Sequence, residues 1–417
     1  MKNIKSKIIF LTKRVAPPIC EQFCGPLALL ILTPIIINKL GSNSYGSWIL
    51  LISLSSFSQV VCLGITAWTT KIISESLAQN KLDMAINKVD SALSVVISIY
   101  SIILLFYYPI FFLINLYNPD FLGTFSLFVI ATAFFQEIDN LFTNTVKGYE
   151  LFHYSFYLEF VGRIIWFCII YAGIIYNDIL LFTFLATMAK SCVKYIGACT
   201  FAINKYVFPH FTIKEMYIRV VEAKWMFLQL VGGTSLGLFD RLVIPIMLGV
   251  NKLASYVPCI QLAQLAFSIP AAANQIFMPM FSRYKASNNY PPNWTKLIFL
   301  SAILSGTPCL VLFLFSKPIL GIWIGDSFAN ENYHILKALS LAYLFLSCLS
   351  TFHFIILGMG NSRYIAKVNL VGGALMMITT LAISHLGLIF IAYAKFIYPV
   401  IQLSYIKKIS DIGKQVG

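Results

Sequence analysis

Aspartate and arginine stand side by side within a long apolar stretch of this chain. The stretch covers residues 237–256, and the charged pair is Asp240 and Arg241. A charge at the centre of a membrane-spanning helix costs roughly 2.5–3.5 kcal/mol, so it needs a partner or a function. The pair is predicted either to lock helices together as a neutral unit, with Gly233 and Gly237 on the same helical face, or to line a substrate cavity.

Two more pairs of charges lie in other apolar stretches. Glu159 and Arg163 are four residues apart with the acid first, which is the favourable order on a helix, although a long side chain near a helix end can also snorkel to the interface. Lys190 and Lys194 share one helical face. Two cations on such a face would attract an anionic group, so these four residues are candidates for substrate binding.

The remaining candidates are single charges. Lys395, with Gln402 on the same helical face, is predicted to correspond in the second half of the chain to the lysines of the first half. Glu21 lies in a proline-rich first apolar stretch, where proline frees backbone carbonyls and suits a cavity-lining helix. Glu137 and Asp139 are read either as an interfacial polar cap or as part of the site.

The composition indicates a membrane protein that spans the bilayer many times. Hydrophobic residues make up 59% of the chain and charged residues 11%, whereas soluble domains carry about 25% charged residues. Apolar runs of about 20 residues, long enough to cross a hydrocarbon core as helices, recur throughout. They predict about twelve spans, at approximately 16–38, 46–67, 91–114, 121–142, 156–176, 179–203, 225–249, 254–278, 297–316, 332–357, 364–385 and 387–406.

The positions of lysine and arginine predict the orientation. With the N-terminus in the cytoplasm, most of them fall in cytoplasmic segments, which places both termini inside. The net charge of +14 is then explained by topology and by contact with anionic lipids. Nucleic-acid binding is not expected.

Two pairs of matching segments indicate an internal duplication. LGSNSYGSW at 40–48 matches LGVNKLASY at 248–256, and the glycine, tyrosine and valine positions of 148–162 recur in 358–372. The separations are 208 and 210 residues. The predicted fold is therefore all-α, with two parallel six-helix lobes at 1–204 and 225–417 around a central cavity. An amphipathic cytoplasmic helix at 205–224 is predicted to join them.

The sequence contains no pattern that indicates a cofactor. The nine cysteines show no metal-ligand spacing, and no Walker A or other phosphate-binding loop is present. We expect no metal, no cofactor, no ATP hydrolysis by this chain alone and no enzymatic activity.

These features resemble a known family. The length, the two six-span halves, the Asp-Arg pair followed by LGVNKLASY, and the segments KGYELFHYSFYLEFVGR and LGMGNSRYIAKVNL are similar to polysaccharide exporters of the MOP superfamily, especially O-antigen flippases of the Wzx type. The resemblance implies a multi-pass protein of the bacterial inner membrane. It also implies a substrate in which an oligosaccharide is joined through pyrophosphate to undecaprenol.

The resemblance further implies that the substrate moves from the cytoplasmic to the periplasmic leaflet by alternating access. The cavity cations hold the pyrophosphate, and protons or sodium are candidate coupling ions, with Asp240, Glu159 or Glu21 as proton carriers. A polymerase and a chain-length regulator of the same pathway are the expected protein partners.

Three other functions remain open from the sequence. A multidrug or cation antiporter of the related extrusion branch would favour a net acidic cavity, whereas the charges here lean basic. A membrane-embedded polysaccharide polymerase would need a long periplasmic loop, and the longest outward loop is predicted at only 317–331. A peptidoglycan-precursor flippase would carry further spans and a more arginine-rich first lobe.

Overall fold

The fold is known from a computed structural model, in which all regular secondary structure of the described residues is helical. The described residues are 16–58, 62–79, 82–115, 123–212, 214, 217, 218, 220–222, 238–287 and 294–416. In the first half, the helices are α1 (Ala16–Ser58), α2 (Leu63–Ala78), α3 (Leu82–Asn115), α4 (Gly123–Gly148), α5 (Phe152–Ile175) and α6 (Ile179–Ala198), and α6 continues into a π-helical turn at Cys199–Ile203.

The second half repeats this arrangement with more interruptions. Its helices are α7 (238–248), α8 (Asn251–Asn274), α9 (Phe277–Ser287), α10 (Trp294–Ser305), α11 (Thr307–Leu314), α12 (Ser316–Trp323), α13 (Asp326–Gly358), α14 (Ser362–Ile383), α15 (Leu388–Ala394), α16 (Ile397–Gln402) and α17 (Ser404–Val416). A short 3₁₀ turn at Ser384–Leu386 separates α14 from α15.

Ten helical segments of the described residues are long and apolar enough to cross a membrane, so the prediction of an all-helical multi-pass protein is confirmed. The first segment lies in α1. A kink at Gly41 (φ 81°) divides this helix into two parts, which correspond to the first predicted span and the beginning of the second. The predicted span at 225–249 and the predicted linker helix at 205–224 lie partly outside the described residues. The count of twelve spans stays a prediction.

The chain forms two compact units. Unit 1 contains the described residues of Met1–Leu32 and Trp48–Ser235, and unit 2 contains those of Thr33–Ser47 and Leu236–Gly417. Residues 33–47 thus group with the second unit, although the sequence assigned them to the first lobe. The Thr33 hydroxyl contacts the Gln261 side chain at 3.2 Å, which helps explain this grouping.

Each unit has an apolar core of its own. In unit 1, Trp68, Phe142 and Ile203 belong to a cluster formed by α2, α3, α4, α5 and the end of α6. In unit 2, Phe281 and Tyr405 belong to a cluster formed by α9, α10, α13, α14 and α17. Because α17 buries Tyr405, the last helix is part of the packed unit.

Left-handed backbone turns recur at the separations found in the sequence. Gly41 (φ 81°) and Gly249 (φ 91°) are 208 residues apart, and Glu150 (φ 58°) and Gly360 (φ 77°) are 210 residues apart. Few residues other than glycine adopt such angles. Their repetition therefore supports the predicted duplication by a criterion independent of residue identity.

One contact between helices also occurs in both halves. The Ser74 hydroxyl of α2 donates to the carbonyl of Gly148 at 3.0 Å, and the Ser282 hydroxyl of α9 donates to the carbonyl of Gly358 at 2.9 Å. A side chain at Gly148 would lie 2.8 Å from the Ile73 Cβ, and one at Gly358 would clash with the backbone of Met278. The two glycines let paired helices approach closely at corresponding places.

Replacing these glycines should destabilise the protein unequally. Overpacking a well-packed contact usually costs about 1–3 kcal/mol. Gly358→Ala should lose more thermal stability in detergent than Gly148→Ala, because a backbone carbonyl yields less than a side chain. Gly25→Ala, whose added atom would meet only the Arg163 side chain at 3.4 Å, is the control. Equal melting temperatures for all three variants would contradict this packing.

Candidate functional site

Glu159 is the centre of an ion-pair cluster in unit 1. The Arg163 guanidinium donates to its Oε1 at 2.7 Å through Nη2 and at 3.2 Å through Nε. The Nζ atoms of Lys190 and Lys194 each lie 3.0 Å from its Oε2. Glu159 and Lys190 are each 7% exposed, and Lys194 is 1% exposed. One buried carboxylate therefore faces three cations.

Asp139 and a second ion pair extend this cluster. The Lys190 ammonium donates to Asp139 Oδ2 at 2.9 Å, so this lysine bridges two carboxylates. Glu21 pairs with Lys147 at 2.8 Å and accepts a hydrogen bond from the Ser155 hydroxyl at 2.9 Å. The sequence left Asp139 either as part of an interfacial polar cap or as part of the site. Its contact with Lys190 favours the second interpretation.

A cavity of about 360 Å³ opens beside these groups. Its lining is mostly polar and consists of Glu21, Gln22, Gly25, Pro26, Asp139, Asn140, Thr143, Asn144, Lys147, Glu159, Arg163 and Lys190. Among the lining residues, Arg163, Lys190 and Lys147 balance Glu159, Asp139 and Glu21. The buried Lys194 ammonium, which lies behind the lining against Glu159, adds one positive charge. The cavity and this adjoining lysine together suit an anionic ligand.

Local sequence features place these charges. Asp178 begins α6 by accepting a hydrogen bond from the Leu181 N–H at 3.2 Å, which sets the register of the helix. Lys190 and Lys194 then fall on one face of α6. Gly162 lets α5 lie against that face, because a side chain there would come within 3.0 Å of the Lys190 Cγ.

Unit 2 contains a smaller cluster around Asp240, which is 1% exposed. Its Oδ2 lies 3.1 Å from the Lys395 ammonium and accepts a hydrogen bond from the Tyr256 hydroxyl at 2.7 Å. Lys395 lies between α15 and α16, where Pro399 follows. Sequence reasoning missed Tyr256, although it ends the repeated segment LGVNKLASY and so lies where the first copy has Trp48.

Arg241 turns to a different partner. Its Nη2 donates to the Gln264 side chain at 3.2 Å, and Gln264 in turn donates to the Tyr343 hydroxyl at 3.2 Å. In the described contacts, the neighbours Asp240 and Arg241 thus pair with other helices, which differs from the self-neutralising pair considered above. Gly233 and Gly237 lie outside the described residues.

Lys395 does not occupy the repeat position of Lys190 or Lys194, and its role as the candidate of the second half stays a prediction. At a separation of 208 residues, Lys395 lies opposite Thr187, whereas Lys190 lies opposite Tyr398. The contacts agree, because Gly162 faces Lys190 in unit 1 and Gly372 faces Tyr398 in unit 2. The spacing of residues within each half could not show that Lys190 aligns with Tyr398. That alignment depends on which residue contacts the repeated glycine, which is a contact between helices.

In unit 2 the counterpart of the Glu159 cluster is neutral. Asn369 stands 210 residues after Glu159, and Gln402 stands 208 residues after Lys194. The Gln402 amide donates to Asn369 Oδ1 at 3.2 Å, and the Tyr405 hydroxyl donates to the same oxygen at 2.8 Å. The duplicated scaffold therefore carries an ion cluster in one half and an uncharged hydrogen-bond network at the corresponding place in the other.

Comparison with known proteins relates this architecture to one group of transporters. No family model matches the chain. The chain is similar to a "Putative O-antigen transporter" of Shigella flexneri, at 22% identity over 160 residues, which is 38% of each chain.

Among solved structures, the chain is similar to an inward-facing multidrug resistance MATE family transporter of the MOP superfamily, with a TM-score of 0.72 at 13% identity, covering 93% of this chain and 96% of that one. It is also similar to the lipid II flippase MurJ in an inward closed conformation, with a TM-score of 0.74 at 15% identity, covering 94% and 86%. The chain has the fold of these two transporters. The fold that the sequence resemblance implied is thereby confirmed.

Removing Lys395 should destabilise unit 2. Breaking a buried ion pair from one side costs about 3–5 kcal/mol, because the remaining charge is uncompensated. Lys395→Met should therefore lower the thermal stability of the purified protein sharply, and Asp240→Asn in the same chain should restore much of it. Lys194→Met should cost less, since Glu159 keeps two other cations. A double variant no more stable than Lys395→Met alone would contradict the pairing.

Proposed function

We propose that the protein is a flippase that moves undecaprenyl-pyrophosphate-linked oligosaccharide from the cytoplasmic to the periplasmic leaflet of a bacterial inner membrane. The observation that carries this proposal is the cluster of Arg163, Lys190 and Lys194 in and directly behind the cavity wall of unit 1. A pyrophosphate diester has two negative charges and several acceptor oxygens, which arginine and lysine side chains bind well. The transporter fold and the O-antigen relative support the same substrate class.

The place of the cavity along the helices suits a loading site. Its residues come from the start of α1, the end of α4, the first half of α5 and the second half of α6. In the predicted orientation, with both termini inside, this end of the helices is cytoplasmic. The pyrophosphate would enter the cavity while the polyprenyl tail stays in lipid, and alternating access would release the substrate on the other side.

Each cation has a separate role in this proposal. Arg163 would hold a phosphate through two N–H donors, and Lys190 would supply a second positive charge from the facing helix. Glu21 and Lys147 border the cavity as a pair and contribute polar lining with little net charge. In unit 2, Asp240, Arg241 and Lys395 would join α7 to the later helices during the conformational change, and no metal or cofactor takes part.

The proposal predicts which leaflet holds the lipid-linked intermediate in cells with a matching polysaccharide locus. Deleting the gene should strand the intermediate in the cytoplasmic leaflet, and wild-type protein should relieve this. Arg163→Gln and Lys190→Gln should each lower translocation by about ten-fold or more, since a charge-assisted hydrogen bond contributes about 1.5–3 kcal/mol. Leaflet sidedness is measured by accessibility of the glycan to a periplasmic probe.

The control is Lys71→Gln. Lys71 does not line the cavity, and its ammonium forms an exposed ion pair with Glu75 at a distance of 3.7 Å. This variant should translocate normally at equal protein level. Normal sidedness with lost chain extension in the deletion strain would indicate a polymerase instead. Normal sidedness with altered drug tolerance would indicate the extrusion branch.

A further inference from the structure

Glu159 holds the three cations of its cluster with both of its oxygens. Oε1 accepts from Arg163, and Oε2 faces Lys190 and Lys194. A phosphate oxygen would use the same donors, because carboxylate and phosphate share this geometry with arginine and lysine. Glu159 also lines the cavity together with Arg163 and Lys190, so a ligand in the cavity reaches two of the three cations that Glu159 now binds.

The second half of the chain shows that this place in the fold does not require a negative charge. Asn369 occupies the position that corresponds to Glu159, and its amide oxygen accepts from Gln402 and Tyr405. The helices α14, α16 and α17 are joined there by neutral hydrogen bonds. An amide at position 159 would therefore be compatible with the packing of α5 against α6.

We propose that Glu159 is an internal substitute for the anionic group of the substrate. Its carboxylate neutralises the cavity cations when no substrate is bound, and the pyrophosphate displaces it on binding. This inference rests on the proposed function and adds a competition between a side chain and the substrate for the same donors.

The charges of the cluster favour both the binding of the pyrophosphate and its later release. With Glu159 in place, Arg163, Lys190 and Lys194 exceed the two carboxylates by one positive charge. Displacement of Glu159 leaves these cations to the pyrophosphate, and the return of Glu159 assists its release. A transporter needs both steps, because a site that binds its substrate too firmly cannot release it on the other side.

The test is binding of farnesyl pyrophosphate to the purified full-length chain in lipid nanodiscs, with farnesol as the uncharged probe. Glu159→Gln should bind farnesyl pyrophosphate on the order of ten-fold more tightly than the wild type, a size usual for coupled sites. A merely structural role predicts weaker binding. Glu75→Gln, at the exposed pair with Lys71, is the matched control and should bind like the wild type.

A second pair of variants tests the same inference in case Glu159→Gln does not fold. Glu159→Asn combined with Lys194→Gln reproduces the Asn369 and Gln402 pair of the other half, and it should bind more tightly than Lys194→Gln alone. Failure of this double variant to fold would contradict the claim that the position tolerates a neutral residue.

The two proposals fail in different ways. Pyrophosphate-selective binding by the wild type that Glu159→Gln leaves unchanged or weakens would overturn this inference alone. Equal binding of farnesol and farnesyl pyrophosphate by the wild type and Glu159→Gln would overturn the proposed function and this inference with it.

Discussion

A charge in the hydrocarbon interior of a membrane is stable only when another charge or a set of dipoles compensates it. This constraint organises both units. In unit 1, Glu159 gathers Arg163, Lys190 and Lys194 from α5 and α6, and in unit 2, Asp240 joins Lys395. The helices that carry these residues are held in the positions that let the charges meet. The polar cavity of unit 1 lies beside this cluster, and the cations and carboxylates of its lining balance each other.

Duplication supplied two copies of one scaffold, and the copies have diverged in charge. The left-handed turns and the serine-to-glycine contacts are retained in both halves. The residues that contact the repeated glycine differ between the halves, because Lys190 faces Gly162 and Tyr398 faces Gly372. In the second copy, a neutral network of Asn369, Gln402 and Tyr405 joins the helices at the place that corresponds to the Glu159 cluster. The corresponding place in the fold therefore does not require ionised groups, and the first copy differs from the second in having them.

The sequence predicted the class of fold because apolar length and the repeat follow from local composition. It also singled out Glu159, Arg163, Lys190 and Lys194, since charges in apolar helices are rare and spacing shows which share a face. It could not predict that Asp139 joins Lys190, because that contact is between helices far apart in the chain. For the same reason the sequence did not show that Asp240 forms its ion pair with Lys395, and Asp240 was considered with its neighbour Arg241.

The measurement that tests the account most directly is translocation by the purified protein in liposomes that contain a polyprenyl-pyrophosphate-linked oligosaccharide. We expect the wild type to move this lipid across the bilayer and not to move a polyprenol-linked glycan that has no phosphate. Arg163→Gln should move the pyrophosphate form much more slowly. Equal movement of both lipids, or none of either by correctly inserted protein, would contradict the account.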